Sequence, residues 1–228
     1  MSTLGSILLL AMLLGVPLVM GGVIAWRVGG WAWDKARTRQ VVASGVWQPD
    51  PGYAGTLREA LLGAGMSLPR AEVHHIHRSG HGAEAVWAAR FRWSSRGPAS
   101  TLRQGGQRRV LVMARPGPGP QGVVQHRSGG VFEGAGLAAV EAVSGQPRIE
   151  PPGFEWALVH RDPSGAHDGF EPDLGAWLRD ALGPYDRLHL GAGHLILSLP
   201  DGSMADLMEG GAERLRSLRD RLEAASGG

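Results

Sequence analysis

Cysteine is absent from the 228 residues. Disulfides, thiolate metal sites, iron–sulfur clusters and a cysteine nucleophile are therefore excluded. A disulfide-free domain can sit on either side of a membrane, so this absence names no compartment. Asparagine is absent too, and with it any N-glycosylation sequon. Lysine occurs once, as Lys35, against 22 arginines. Charge is missing altogether between Leu4 and Trp26, a stretch of 23 residues without an ionisable side chain.

A helix of that length reaches roughly 34 Å, enough for a hydrocarbon core of ~30 Å. Pro17 falls mid-span, where a membrane helix tolerates it if neighbours re-satisfy the backbone. Trp26, Trp31 and Trp33 gather at one end, as in an interfacial aromatic belt. Nothing basic precedes the stretch except the amino terminus, and no A-x-A cleavage site follows it. Both features oppose a cleaved signal peptide. Arg27, Lys35, Arg37 and Arg39 follow it, against Asp34 alone. The positive-inside rule then places the N-terminus outside and the C-terminal part in the cytoplasm. The expected organisation is a transmembrane anchor over residues 1–26, a basic, Trp-rich neck and connector over 27–54, and a domain over 55–228. Ala11 with Gly15, and Gly21 with Ala25, are small-x-x-x-small pairs that permit close helix approach and homo-oligomerisation in the membrane.

Without its first 39 residues the chain has 19 basic and 20 acidic residues. A near-neutral domain carries no electrostatic footprint for nucleic acid, so none is expected as a partner. The periodicity predicts a short helix over Thr56–Gly63 and strands over Ala71–His77 and Glu84–Trp93. It predicts a polar loop over Ser94–Gln107 and a strand over Arg109–Arg115. Further strands are expected over Val123–His126 and Phe154–Arg161, with a weak helix over Phe132–Val143 and a three-proline loop over Ser144–Gly153 between them. Pro172–Leu182 reads as a helix, and Arg187–Leu190 with His194–Leu199 as a hairpin. Ser203–Ala225 reads as one long amphipathic helix, with Ser203 as N-cap and Asp206 at N3. Two helix–strand–strand segments recur, one from Leu57-Arg58-Glu59-Ala60 and one from Leu178-Arg179-Asp180-Ala181. The fold class expected is α+β, a single domain with a mainly antiparallel sheet and helices packed on one face. Trp87, Trp93, Trp156 and Trp177 are assigned to the core, and Trp47, beside the proline-rich connector, to the surface.

His74, His75, His77 and His81 lie within eight residues. Strand alternation puts His75 and His77 on one face, where neutral imidazoles could hold Zn²⁺ with His81 from the turn. Solvated histidines on a half-exposed strand explain the same letters, and no H-E-x-x-H spacing is present. Gly117–Gly122 matches G-x-G-x-x-G, but prolines at two variable positions remove the N–H donors that a pyrophosphate would need. Gly134–Ala139 matches G-x-G-x-x-A without the apolar strand that should precede it. Ser164, His160, His167 and Asp168 share one loop, which Asp162-Pro163 explains as a turn. No cofactor-binding or catalytic residue is assigned. The function expected is a membrane-anchored interaction or accessory-subunit module, non-enzymatic, with a protein partner. A metal-dependent enzyme or sensor using the His74–His81 cluster is one alternative. A small-ligand or lipid-binding domain is the other.

Overall fold

The computed structural model describes Met20, 29–30, 32–63, 72–96, 103–115, 120–127, 148–161, 170–191, 193–200 and 202–226. The chain divides into two units, Met1–Gln40 and Val41–Gly228. In the first, residues 32–40 are helical. Among the described residues no helix is long and apolar enough to cross a membrane. The stretch 4–26, where the span and its small-residue pairs are expected, lies outside them apart from Met20.

The second unit is α+β, built on one nine-stranded antiparallel sheet. In chain order its elements are β1 (Gln48–Pro49), α1 (Ala54–Gly63), β2 (Glu72–Ser79), β3 (Val86–Arg96), β4 (Arg103–Ala114) and β5 (Gly122–His126). There follow β6 (Arg148–Ile149), β7 (Ala157–Arg161), α2 (Pro172–Ala181), β8 (Arg187–Gly191), β9 (His194–Pro200), α3 (Met204–Met208) and α4 (Gly211–Ser226). The strand order is β1-β2-β3-β4-β9-β8-β5-β7-β6. Each expected helix–strand–strand segment is present, as α1-β2-β3 and α2-β8-β9.

Alternation along the strands sends apolar side chains to both faces. On one face Leu111, Met113, Leu195, Leu197, Leu188 and Leu190 are buried beneath α2, α3 and α4. On the other, Trp87, Phe91, Val110, Val112 and Ile196 pack against Leu57 and Leu61 of α1. This corrects the expectation that all helices share one face. A ten-residue helix is marginal alone. Burying two leucines, worth about 1.5–3 kcal/mol each, holds α1 in place, and only a second apolar sheet face could receive them.

Four further expectations are corrected. Trp47 is buried, 1% exposed, and its indole Nε1 donates to the Met208 carbonyl at 3.0 Å. The supposed loop 94–107 contains the paired ends of β3 and β4, with Arg96 opposite Arg103. Backbone pairing there needs no apolar pattern. The C-terminal helix is two helices, because Gly210 adopts φ +74° between α3 and α4. Residues 148–149, expected in a loop, form the short strand β6 beside β7. Ser203 does cap α3, its Oγ accepting the Asp206 N–H at 3.2 Å. The weak helix 132–143 and the Gly134–Ala139 motif lie outside the described residues, as do 116–119 and 162–169.

The turn preceding β7 meets α2 backbone to backbone. Gly153 has φ +82°, and a Cβ there would fall 2.6 Å from the Pro172 carbonyl oxygen. A Cβ on Gly175 would overlap the Gly153 carbonyl. Trp156 Nε1 bridges the contact, donating to both Gly153 and Gly175 carbonyls at 3.1 Å. Gly175→Ala is expected to lower stability by about 1–3 kcal/mol through overpacking. An unchanged urea midpoint would refute the close approach.

Candidate functional site

The histidine cluster sits on β2 and the turn after it. Val73 pairs with Phe91 and His77 with Ala88, so the register shifts between His74 and His77. His75 carries the extra residue, at φ +53°. That bulge keeps Val73 and Ile76 on the α1 face although they are three positions apart. Simple alternation, on which the expected pairing of His75 with His77 rested, is therefore broken here.

His77 Nδ1 lies 3.0 Å from the His75 carbonyl oxygen, and His74 Nε2 lies 3.1 Å from Glu72 Oε2. His81 is exposed at the start of the short turn Gly82–Glu84. Among the described residues no group of three or more His, Cys, Asp or Glu is placed to hold a metal ion. His75, His77 and His81 thus share a strand and its turn without forming such a group.

The second sheet face changes character between its halves. Over β2, β3 and β4 it is apolar and lies under α1. Farther along, the register Ile196–His189–Val123–His160–Arg148 runs across β9, β8, β5, β7 and β6. A parallel row runs Ser198–Arg187–Gln125–Leu158. His160 and His189 are 4% and 5% exposed, whereas Arg187 and Gln125 are half-buried. This half mixes His189, Arg187, Gln125 and His160 with Val123 and Leu158, where the matching positions near α1 are apolar.

At its β8 end two guanidiniums come together. Arg108 of β4 donates from Nε to Ser198 Oγ at 2.7 Å, and from Nη2 to the Tyr185 carbonyl at 2.7 Å and the Ser198 carbonyl at 3.2 Å. Burial first, and then the neighbouring Arg187 charge, push the Arg108 pKa down to about 10, against the opposing pull of Asp186. Burial lowers Arg187 as well. Both remain cations near neutrality. Asp186 is engaged elsewhere: its Oδ2 accepts from Arg214 Nη2 at 2.7 Å and from the Gly183 N–H at 2.9 Å. Tyr185, 66% exposed, completes the corner between α2 and β8.

No protein-family model, curated protein or solved structure matches this chain. Its chemistry therefore rests on its own residues.

Sequence reasoning missed the arginine corner because Arg108 and Arg187 belong to strands far apart in the chain. A recoverable signal was the R-L-H-L alternation of β8, which puts Arg187 and His189 on the face opposite the core leucines Leu188 and Leu190. It also missed Arg115, 2% exposed just after β4. Its Nη1 donates to the Pro120 carbonyl at 3.0 Å, while Nε and Nη2 are buried with no hydrogen-bond partner among the described residues. Burial lowers the Arg115 pKa, and the Glu223 charge opposes that only in part.

Two histidines give the domain a pH dependence. Burial holds His77 below the ordinary histidine range, against the His75 carbonyl, which favours the charged ring, and with the His75 charge acting in the same direction as burial. Burial alone lowers His194. Each binds a proton less readily folded than unfolded, so acid favours unfolding. Stability is expected to decline as pH drops below about 6.5, levelling off beneath the folded-state values. His77→Gln and His194→Gln should each flatten the change in urea midpoint between about pH 7 and about pH 5. Unaltered slopes in both variants would contradict this.

Proposed function

We propose that this protein is a membrane-anchored, non-enzymatic binding module, tethered through residues 4–26 with its α+β domain on the cytoplasmic side. Its recognition surface is the polar half of the second sheet face, from Gln125 to the corner at Arg108 and Arg187. One observation carries the reading: the same sheet face is apolar and helix-covered over β2–β4 but carries Arg187, His189, Gln125 and His160 over β8, β5 and β7. Buried or half-buried polar side chains are expensive to keep for packing alone. The half-buried arginines and Gln125 suit recognition better than they suit a core. The tether itself is supported by the uncharged 23-residue stretch and the cations that follow it.

The full-length protein is expected in the membrane fraction, resistant to alkaline carbonate, and a variant lacking residues 1–28 in the supernatant. A photo-crosslinking residue at position 125 should capture a partner or ligand in membranes, while one at exposed position 58 should not. Recovery of the intact chain in the soluble fraction would defeat the tether. Equal capture from both positions, or none from 125, would defeat the recognition surface.

A further inference from the structure

We propose that Arg108 and Arg187 together bind the phosphate of a phosphomonoester, free or as a lipid headgroup. This rests on the reading of the polar half-face as a recognition surface. The register supplies the geometry. Arg187 lies directly opposite Ser198 across the β8–β9 pairing, and Ser198 Oγ accepts from Arg108 Nε at 2.7 Å. Ser198 therefore fixes one guanidinium beside the other. Arg108 spends Nε and Nη2 on Ser198 and the Tyr185 carbonyl, which leaves Nη1 without a hydrogen bond among the described residues. Arg187 makes no hydrogen bond or ion pair among the described residues.

Charge selects the ligand. Two half-buried cations repel each other, and removing their hydration makes that repulsion larger. Asp186, whose charge opposes the lowering at Arg108, is held by Arg214 and the Gly183 N–H. Among the described residues no carboxylate forms an ion pair with either guanidinium, so the pair keeps an excess of positive charge. A carboxylate or phosphodiester brings one negative charge. A phosphomonoester, with a second pKa of about 6, brings close to two near neutrality and offers three oxygens to paired guanidinium forks. The ordinary structural use of a half-buried arginine, a pairing with a carboxylate, is what Arg214 shows farther along the same chain. Arg187 departs from it.

The test uses the full-length protein in detergent micelles, titrated with glycerol 3-phosphate and with dihexanoylphosphatidic acid, with acetate and dihexanoylphosphatidylglycerol as singly charged controls. Saturable binding of at least one phosphomonoester is expected, weakened about tenfold or more by Arg187→Gln. Arg58→Gln, an exposed charge on α1, should leave it unchanged. Arg187→Lys keeps the charge but loses the planar fork, and should also weaken binding. It serves as the second variant if Arg187→Gln shifts the urea midpoint. Binding of both phosphomonoesters assigns a free phosphate ligand, and binding of the phosphatidic acid alone assigns a headgroup. The proposal is overturned if neither binds saturably, if the controls bind as tightly, or if Arg58→Gln weakens binding as much as Arg187→Gln. Those failures leave the fractionation and crosslinking outcomes untouched, so loss of the phosphate ligand is distinguishable from loss of the module reading.

Discussion

The pairing of β4 with β9 holds the sheet together. It joins β1–β4, from the first half of the chain, to β9, β8, β5, β7 and β6, with partners running from Arg108–Pro200 to Ala114–His194. Closing a loop of that length is entropically unfavourable until contacts on both faces offset it. Leu111, Met113, Leu195 and Leu197 supply one face, and Val110, Val112 and Ile196 the other. Both strands consequently read as nearly unbroken apolar runs, RVLVMA and HLILSL, as strands buried on two sides must. Side chains clasp the same seam: Arg108 holds Ser198, while Arg109 donates to the Pro200 and Ser203 carbonyls. Arg90 adds a bond to the Gly202 carbonyl at 2.9 Å.

The arginine corner is a by-product of that seam. Arg108 reaches it from the first half of the sheet and Arg187 from the second, so neither half could form it alone. The corner is braced from behind, where Arg214 of α4 binds both Asp186 and the Ala181 carbonyl at 2.7 Å. The braced frame thus brings two cations to one corner of the sheet. Pre-organisation of that kind favours binding, because little ordering remains to be done when a ligand arrives.

Much of the fold was legible because it is written in local patterns. The hairpins β2–β3 and β8–β9 were read from apolar runs around glycine turns, and Gly80, Gly82 and Gly193 do adopt positive φ there. Pro172 opening α2 and Ser203 capping α3 are equally local signals. What escaped depended on distant partners. Leu57 and Leu61 announce a buried stripe but not which sheet face receives it. One extra residue at His75 reverses the parity on which face assignments along β2 depend. Trp47 looked exposed because its acceptor, the Met208 carbonyl, is 161 positions away. The cation pair was hidden for the same reason, and the histidine cluster drew attention because its members are neighbours in the chain.

Trp47 has a mechanical consequence. Any tension delivered through the N-terminal segment enters the domain by way of residues 41–49, where β1 contributes only two paired residues. So short a strand would peel easily. The indole, sunk in the core and bonded to the corner between α3 and α4, passes such a load on to those two helices instead. The short first strand is thereby secured by a contact far along the sequence and not by its two paired residues alone.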